Sequence, residues 1–173
     1  MELETFAEAV RLGGIVRFVL WQSAFEFDVP EQILRDEAGR VPAFATPNAA
    51  SAYAATRQLK LSDHAADVDP TWDLDALVLW ADDPRQILDH GAIRKTWKFL
   101  TDAGLLPGMH EDGLDPALQE VVWQLDSAEL AAIDPKSAHL APKWADAEVA
   151  LLARTLRDAI AEFAKLLTVP PAV

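Results

Sequence analysis

"IVRFVLWQSAFEF", residues 15–27, is the stretch that decides the fold class. β-Branched and aromatic residues dominate it, and such side chains pack well on a pleated surface while losing rotamer freedom in a helix. It is read as a strand. On its C-terminal side, "EQILRDEAGRVPAFAT" (31–46) reads as a hairpin, with Gln32 to Leu34 running up, Asp36 to Gly39 turning and Val41 to Phe44 running down. Gly39 supplies the positive φ that such a turn requires. Pro42 has no N–H for a ladder, which puts its strand at an edge or a bulge. On the N-terminal side, Leu3, Phe6, Ala9 and Val10 recur at helical spacing before Gly13-Gly14, which predicts a short amphipathic helix over 2–11.

From Thr46 onward the pattern turns helical. Thr46 is a good N-cap and Pro47 suits the first helical position, with Ala50, Tyr53, Ala54 and Leu59 following at helical spacing. A polar loop, 61–72, separates this helix from the rest. Asp73, the Asp83-Pro84 pair and the Asp115-Pro116 pair each mark a helix start, and Gly104 marks a helix end. In "PKWADAEVALLARTLRDAIAEFAKLL" (142–167), Val149, Leu152, Leu156, Ile160, Phe163 and Leu167 form one apolar stripe. The expected fold is α+β: an N-terminal antiparallel three-stranded meander with a packed helix, then a mostly helical C-terminal half. One domain over 1–173 is expected, divisible into an α+β lobe (1–60) and a helical lobe (73–168).

The bulk composition sets limits on function. With 51% hydrophobic and 25% charged residues in 173, the chain can bury a sizeable core. No cysteine is present, so disulfides, thiol nucleophiles and zinc–thiolate sites are excluded. The N-terminus is acidic where a secretory leader would be basic, and no apolar run approaches the ~20 residues of a membrane span. A cytoplasmic location is expected.

A net charge of −13 argues against nucleic acid or an anionic membrane as partner, since both would be repelled. Between Lys60 and Arg85 there are seven acids and no base, and between Lys98 and Lys136 eight acids and no base. Fifteen of the 28 acids therefore lie in two segments that contain no lysine or arginine.

Motifs for chemistry are missing. Neither GxGxxG nor GxxxxGK[ST] occurs, so those phosphate-binding routes are unsupported, and there is no GxSxG elbow. His64, His90, His110 and His139 are scattered, with no HxxxH or HExxH. Neither a catalytic residue, a metal site nor a cofactor is assigned. Of the six tryptophans, Trp97 and Trp123 fall on apolar helix faces and are expected in the core. Trp72 and Trp80 flank the acid-rich "TWDLDALVLWADD" (71–83), and tryptophan is enriched at interface hot spots. The candidate partner-binding set is Asp67, Asp69, Trp72, Asp73, Asp75, Trp80, Asp82 and Asp83.

The succession "FVLWQSAFEF", "QILRDEAGRVPAFATPNAASAYAATRQL" and "WDLDALVLW" resembles the small acidic immunity proteins of bacterial polymorphic-toxin systems over about 65 residues. Leu74-Asp75-Ala76-Leu77 is similar to the acidic binding helix of the barstar family of ribonuclease inhibitors. That resemblance implies that Asp75 faces the toxin. The family's next contact carboxylate falls at Leu79 here, which departs from the pattern. The expectation is a non-enzymatic inhibitor of a basic protein, its rivals being an enzyme with an unrecognised carboxylate site and a structural or regulatory domain whose acidity serves solubility.

Overall fold

The computed structural model describes residues 3–23, 30–62, 72–84, 89–109, 114–133, 136 and 143–169. Two long strands, β1 (Glu4–Leu12) and β2 (Ile15–Ser23), form an antiparallel hairpin in register from Glu4↔Ser23 to Leu12↔Ile15. Gly13 and Gly14 make its two-residue turn with φ of 63° and 72°. A tight hairpin turn with both central residues at positive φ twists with the strands, and only glycine takes that backbone without strain.

The helix expected over 2–11 is thus a strand, and the reason lies in burial. Thr5, Ala7 and Ala9 are buried on one face of the hairpin, while Val10 is buried on the other. A strand covered on both faces loses the polar alternation that would reveal it. Phe6, Ala9 and Val10 then imitate helical spacing, and tertiary pairing overrides the helix preference of an Ala- and Glu-rich segment.

β3 (Gln32–Ile33) pairs antiparallel with β2, and β5 (Trp72–Asp73) pairs parallel with β1, giving a mixed sheet in the order β3-β2-β1-β5. The expected turn at Asp36 is present: the Asp36 N–H donates to the Arg40 carbonyl at 2.7 Å, and Asp36 Oδ1 accepts from Ala38 and Arg40 N–H. Those donors, the Arg40 N–H foremost, hold the Asp36 carboxyl below its ordinary value. The strands on either side do not pair with each other. β4 (Val41–Pro42) pairs parallel with β6 (Leu167–Thr168) just after the last helix, an edge position that Pro42 tolerates. Phe44 then returns to β2, exchanging two backbone hydrogen bonds with Phe18. The expected meander is replaced by a mixed sheet and a small second sheet.

The helices follow their caps. In α1 (Pro47–Thr56), Thr46 accepts from the Ala49 N–H at 3.2 Å. Asp73 caps α2 (Leu74–Asp82) and Asp89, rather than Asp83, caps α3 (His90–Asp102), each through an N–H three residues on. Asp115 caps α4 (Pro116–Ile133), and Glu148 reaches back to the Ala145 N–H at the start of α5 (Asp146–Leu166). Gly104, at φ 69°, ends α3.

α1 packs Ala50 and Ala54 on Ala7, Ala9, Phe18 and Leu20, on one side of the hairpin. The larger core lies on the other side, where Val10 and Val19 meet Leu74, Trp97, Leu125, Leu156 and Phe163. Burying each large side chain there contributes roughly 1.5–3 kcal/mol. Among the described residues no helix is long and apolar enough to cross a membrane.

Candidate functional site

The acid-rich stretch at 72–83 is positioned by β5 and α2, and most of its side chains have structural partners. Asp75 lies in the first turn of α2. Its Oδ1 accepts the Gly13 N–H at 2.7 Å and its Oδ2 the Gly14 N–H at 2.8 Å. The two N–H groups of a left-handed glycine pair form a small concavity suited to an anion, and Asp75 fills it. Asp73 caps α2 and lies 3.9 Å from Arg11, its register partner on β1. Asp82 pairs with Arg157 of α5 at 2.8 Å, and Arg157 also donates to the Ala81 carbonyl. Asp83 ends α2, its N–H directed at the Leu79 and Trp80 carbonyls. The counter-charges that the local sequence lacks arrive from β1 and α5.

The two flanking tryptophans also belong largely to the fold. Trp72 packs against Phe99, the rings tilted by 34° with centres 5.0 Å apart, and donates to Glu8 Oε2 at 3.2 Å. Trp80 is only 8% exposed and sits in the main core, so its expected role as a surface anchor is corrected. Among the described residues its indole N–H has no hydrogen-bond partner. Asp67 and Asp69 lie outside the described residues.

Trp123 moves the opposite way. Expected in the core on an apolar face of α4, it is 61% exposed, while Val121, Val122 and Leu125 point inward. The inward face of α4 runs through 121, 122, 125 and 128, and position 123 falls outside that stripe. Exposed Gln119 and Glu120 lie one turn before it. Trp97, by contrast, is fully buried as expected, its indole N–H on the Pro107 carbonyl at 3.0 Å.

A second cluster went unseen in the sequence. Lys98 donates to Asp102 Oδ2 at 2.8 Å and to Glu31, and its ammonium lies 5.3 Å from the centre of the Trp21 ring. The Trp21 N–H shares Asp102 Oδ2 at 3.1 Å, and Ser23 holds the other Glu31 oxygen. The Asp102 side chain is 9% exposed. Burial lifts its carboxyl above the ordinary value against the opposing pull of Lys98. Burial also acts to lower the Lys98 ammonium, but its hydrogen bonds to Asp102 and Glu31 outweigh this and raise it. Asp102 borders two clefts, one of about 470 Å³ along α3 and one of about 700 Å³ beside β3. The Lys98–Asp102 spacing of four residues was a legible signal for a helix pair. The distant Glu31 and Trp21 left none.

His90, at the start of α3, accepts the Trp144 N–H on Nε2 at 3.2 Å, the rings stacked at 5.9 Å. Burial holds this imidazole below its ordinary value, against the nearby Asp89. Among the described residues no group of three or more His, Asp or Glu side chains is arranged to hold a metal ion.

No protein-family model, curated protein or solved structure matches the chain.

Proposed function

We propose that the chain is a non-enzymatic acidic binding protein that masks a basic surface of a protein partner, as an immunity or antitoxin-like inhibitor does. The observation that carries this reading is the exposure of Trp123 on a segment with no lysine or arginine from 99 to 135. A large indole in water is costly to leave uncovered, and at an interface it supplies a hot-spot anchor and a face for lysine or arginine. The net charge of −13 steers a basic partner toward the molecule and disfavours a second copy of the chain. Asp73, Asp75, Asp82 and Asp83 add to the field while tied into the fold, so in this reading they attract rather than grip.

The test is co-purification of the tagged chain at 0.15 M and 0.5 M salt, comparing wild type with Trp123→Ala. The reading expects a basic protein to be captured at low salt, reduced at high salt and lost with Trp123→Ala. Identical capture by the two chains would contradict it.

A second reading has one observation in its favour. Asp102 is a buried carboxyl, raised by burial, that borders two clefts, as an enzyme with a carboxylate site requires. The first reading requires Asp102→Asn to leave partner affinity unchanged.

A further inference from the structure

A cavity of about 330 Å³ lies between α2 and the start of α3. Ala76, Leu77 and Trp80 of α2 and Ala92 and Ile93 of α3 give it apolar walls. Leu79, which is 70% exposed, completes the α2 side. Among the described residues Asp89 is the one charged group that lines it. Ligand sites span about 300–1,000 Å³, so this cavity has room for a single side chain or a small ligand.

Asp89 differs from the acids of α2 in how its charge is used. Asp75 fills the glycine turn and Asp82 pairs with Arg157, but among the described residues no lysine or arginine pairs with Asp89. Its Oδ1 accepts the Ala92 N–H at 2.9 Å as the cap of α3, which leaves Oδ2 for another donor. No base occurs on α2, and Lys95 lines the adjoining cavity but not this one. The neighbouring His90 is held toward its neutral form by burial. The N-terminal dipole of α3 amounts to about half a positive charge, against a full negative charge on the carboxylate, so the site as a whole favours a cation.

We propose that this cavity takes the side chain of a lysine from the protein partner, its stem against the apolar walls and its ammonium on Asp89. The inference rests on the reading above, in which the partner is basic. Lysine fits better than arginine because Oδ1 is committed to the cap. A guanidinium gains most when it takes both carboxylate oxygens, whereas an ammonium is a point charge that one oxygen satisfies. Lysine also buries its stem along apolar surface while its head stays in water, which suits a carboxylate on an exposed residue. Exposed Leu79 then gives the partner an apolar contact beside the slot.

The test is an amide-resonance titration of the whole isotope-labelled chain at pH 7.5 with N-acetyl-lysine methylamide, beside the norleucine analogue, which keeps the stem and lacks the ammonium. The lysine probe is expected to move the resonances of Leu77, Leu79, Asp89 and Ala92, and the norleucine probe to bind about fivefold more weakly. Asp89→Asn, which keeps the cap and removes the charge, is expected to weaken the lysine probe by a similar factor. Ala76→Phe, on an exposed position, is expected to obstruct the cavity and weaken both probes. If Asp89→Asn melts early, the norleucine probe and Ala76→Phe decide. No shift at these residues, shifts spread evenly over the surface acids, equal binding of norleucine, or full binding by a stably folded Asp89→Asn overturns the proposal. The two claims fail separately. Partner capture lost in Trp123→Ala beside a silent lysine titration refutes the cavity alone, and lysine binding without capture of any basic protein refutes the wider reading.

Discussion

The carboxylate of Asp75 meets the backbone N–H of Gly13 at 2.7 Å, across 62 residues of sequence. With its second oxygen on Gly14, Asp75 ties the β1–β2 turn to the first turn of α2. An acid suggested by its neighbourhood as a partner contact is also a clasp within the fold.

Replacing Asp75 therefore tests stability before it tests binding. Asp75→Ala removes two charge-assisted hydrogen bonds and is expected to cost about 1.5–3 kcal/mol, read as a lower urea midpoint with unchanged slope. Asp75→Asn, which keeps one acceptor oxygen, falls between. A midpoint unchanged in Asp75→Ala would show that the clasp carries no stability.

Lys98 sets an alkaline limit. Its ammonium is raised in the folded protein by Asp102 and Glu31 once their pull exceeds the cost of burial. A raised base contributes stability that is fully present below its unfolded value of 10.5 and is lost as pH rises through the higher folded value. Lys98→Met should cost roughly 1–2 kcal/mol at pH 8, a figure discounted because the ammonium is half exposed. The gap between the two proteins should narrow above pH 10.5. A gap that stays constant to pH 12 would contradict the assignment.

His90 makes the Trp144 environment sensitive to acid. Neutral Nε2 accepts the indole N–H, and the imidazole is lowered by burial. The stability it contributes is present above the unfolded value of 6.5 and is lost as pH falls through the lower folded value. Tryptophan emission should shift below pH 6.5 in wild type and, at that step, stay flat in His90→Gln, which can accept the bond but does not titrate. The same shift in both proteins would place its origin elsewhere.

How much of this was readable in advance depended on whether the signal was local. Thr46, Asp73, Asp115 and Gly104 announce helix ends because capping is satisfied within a few residues. The apolar stripe of α5 was legible for the same reason, with Leu152, Leu156, Ile160 and Phe163 all buried. β1 was illegible because both its faces are covered, which erases the alternation that marks a strand. The partners of the acid stretch were hidden because Arg11, Gly13, Gly14 and Arg157 reach it only through the fold. Trp80 and Trp123 exchanged their expected places because each lies one residue from a position of the opposite kind, Trp80 from exposed Leu79 and Trp123 from buried Val122. A helix turns by about 100° per residue, so that small offset decides between core and water.

The most direct test of the binding account is the affinity of the captured partner for wild type and for Trp123→Ala, measured by calorimetry at 0.05 M and 0.2 M salt. Trp123 is on the surface, so the variant should melt like wild type. The account predicts a loss of roughly 2 kcal/mol or more in Trp123→Ala, about 30-fold in affinity, and weakening of wild-type binding as salt rises. Unchanged affinity in Trp123→Ala, with binding indifferent to salt, would contradict it.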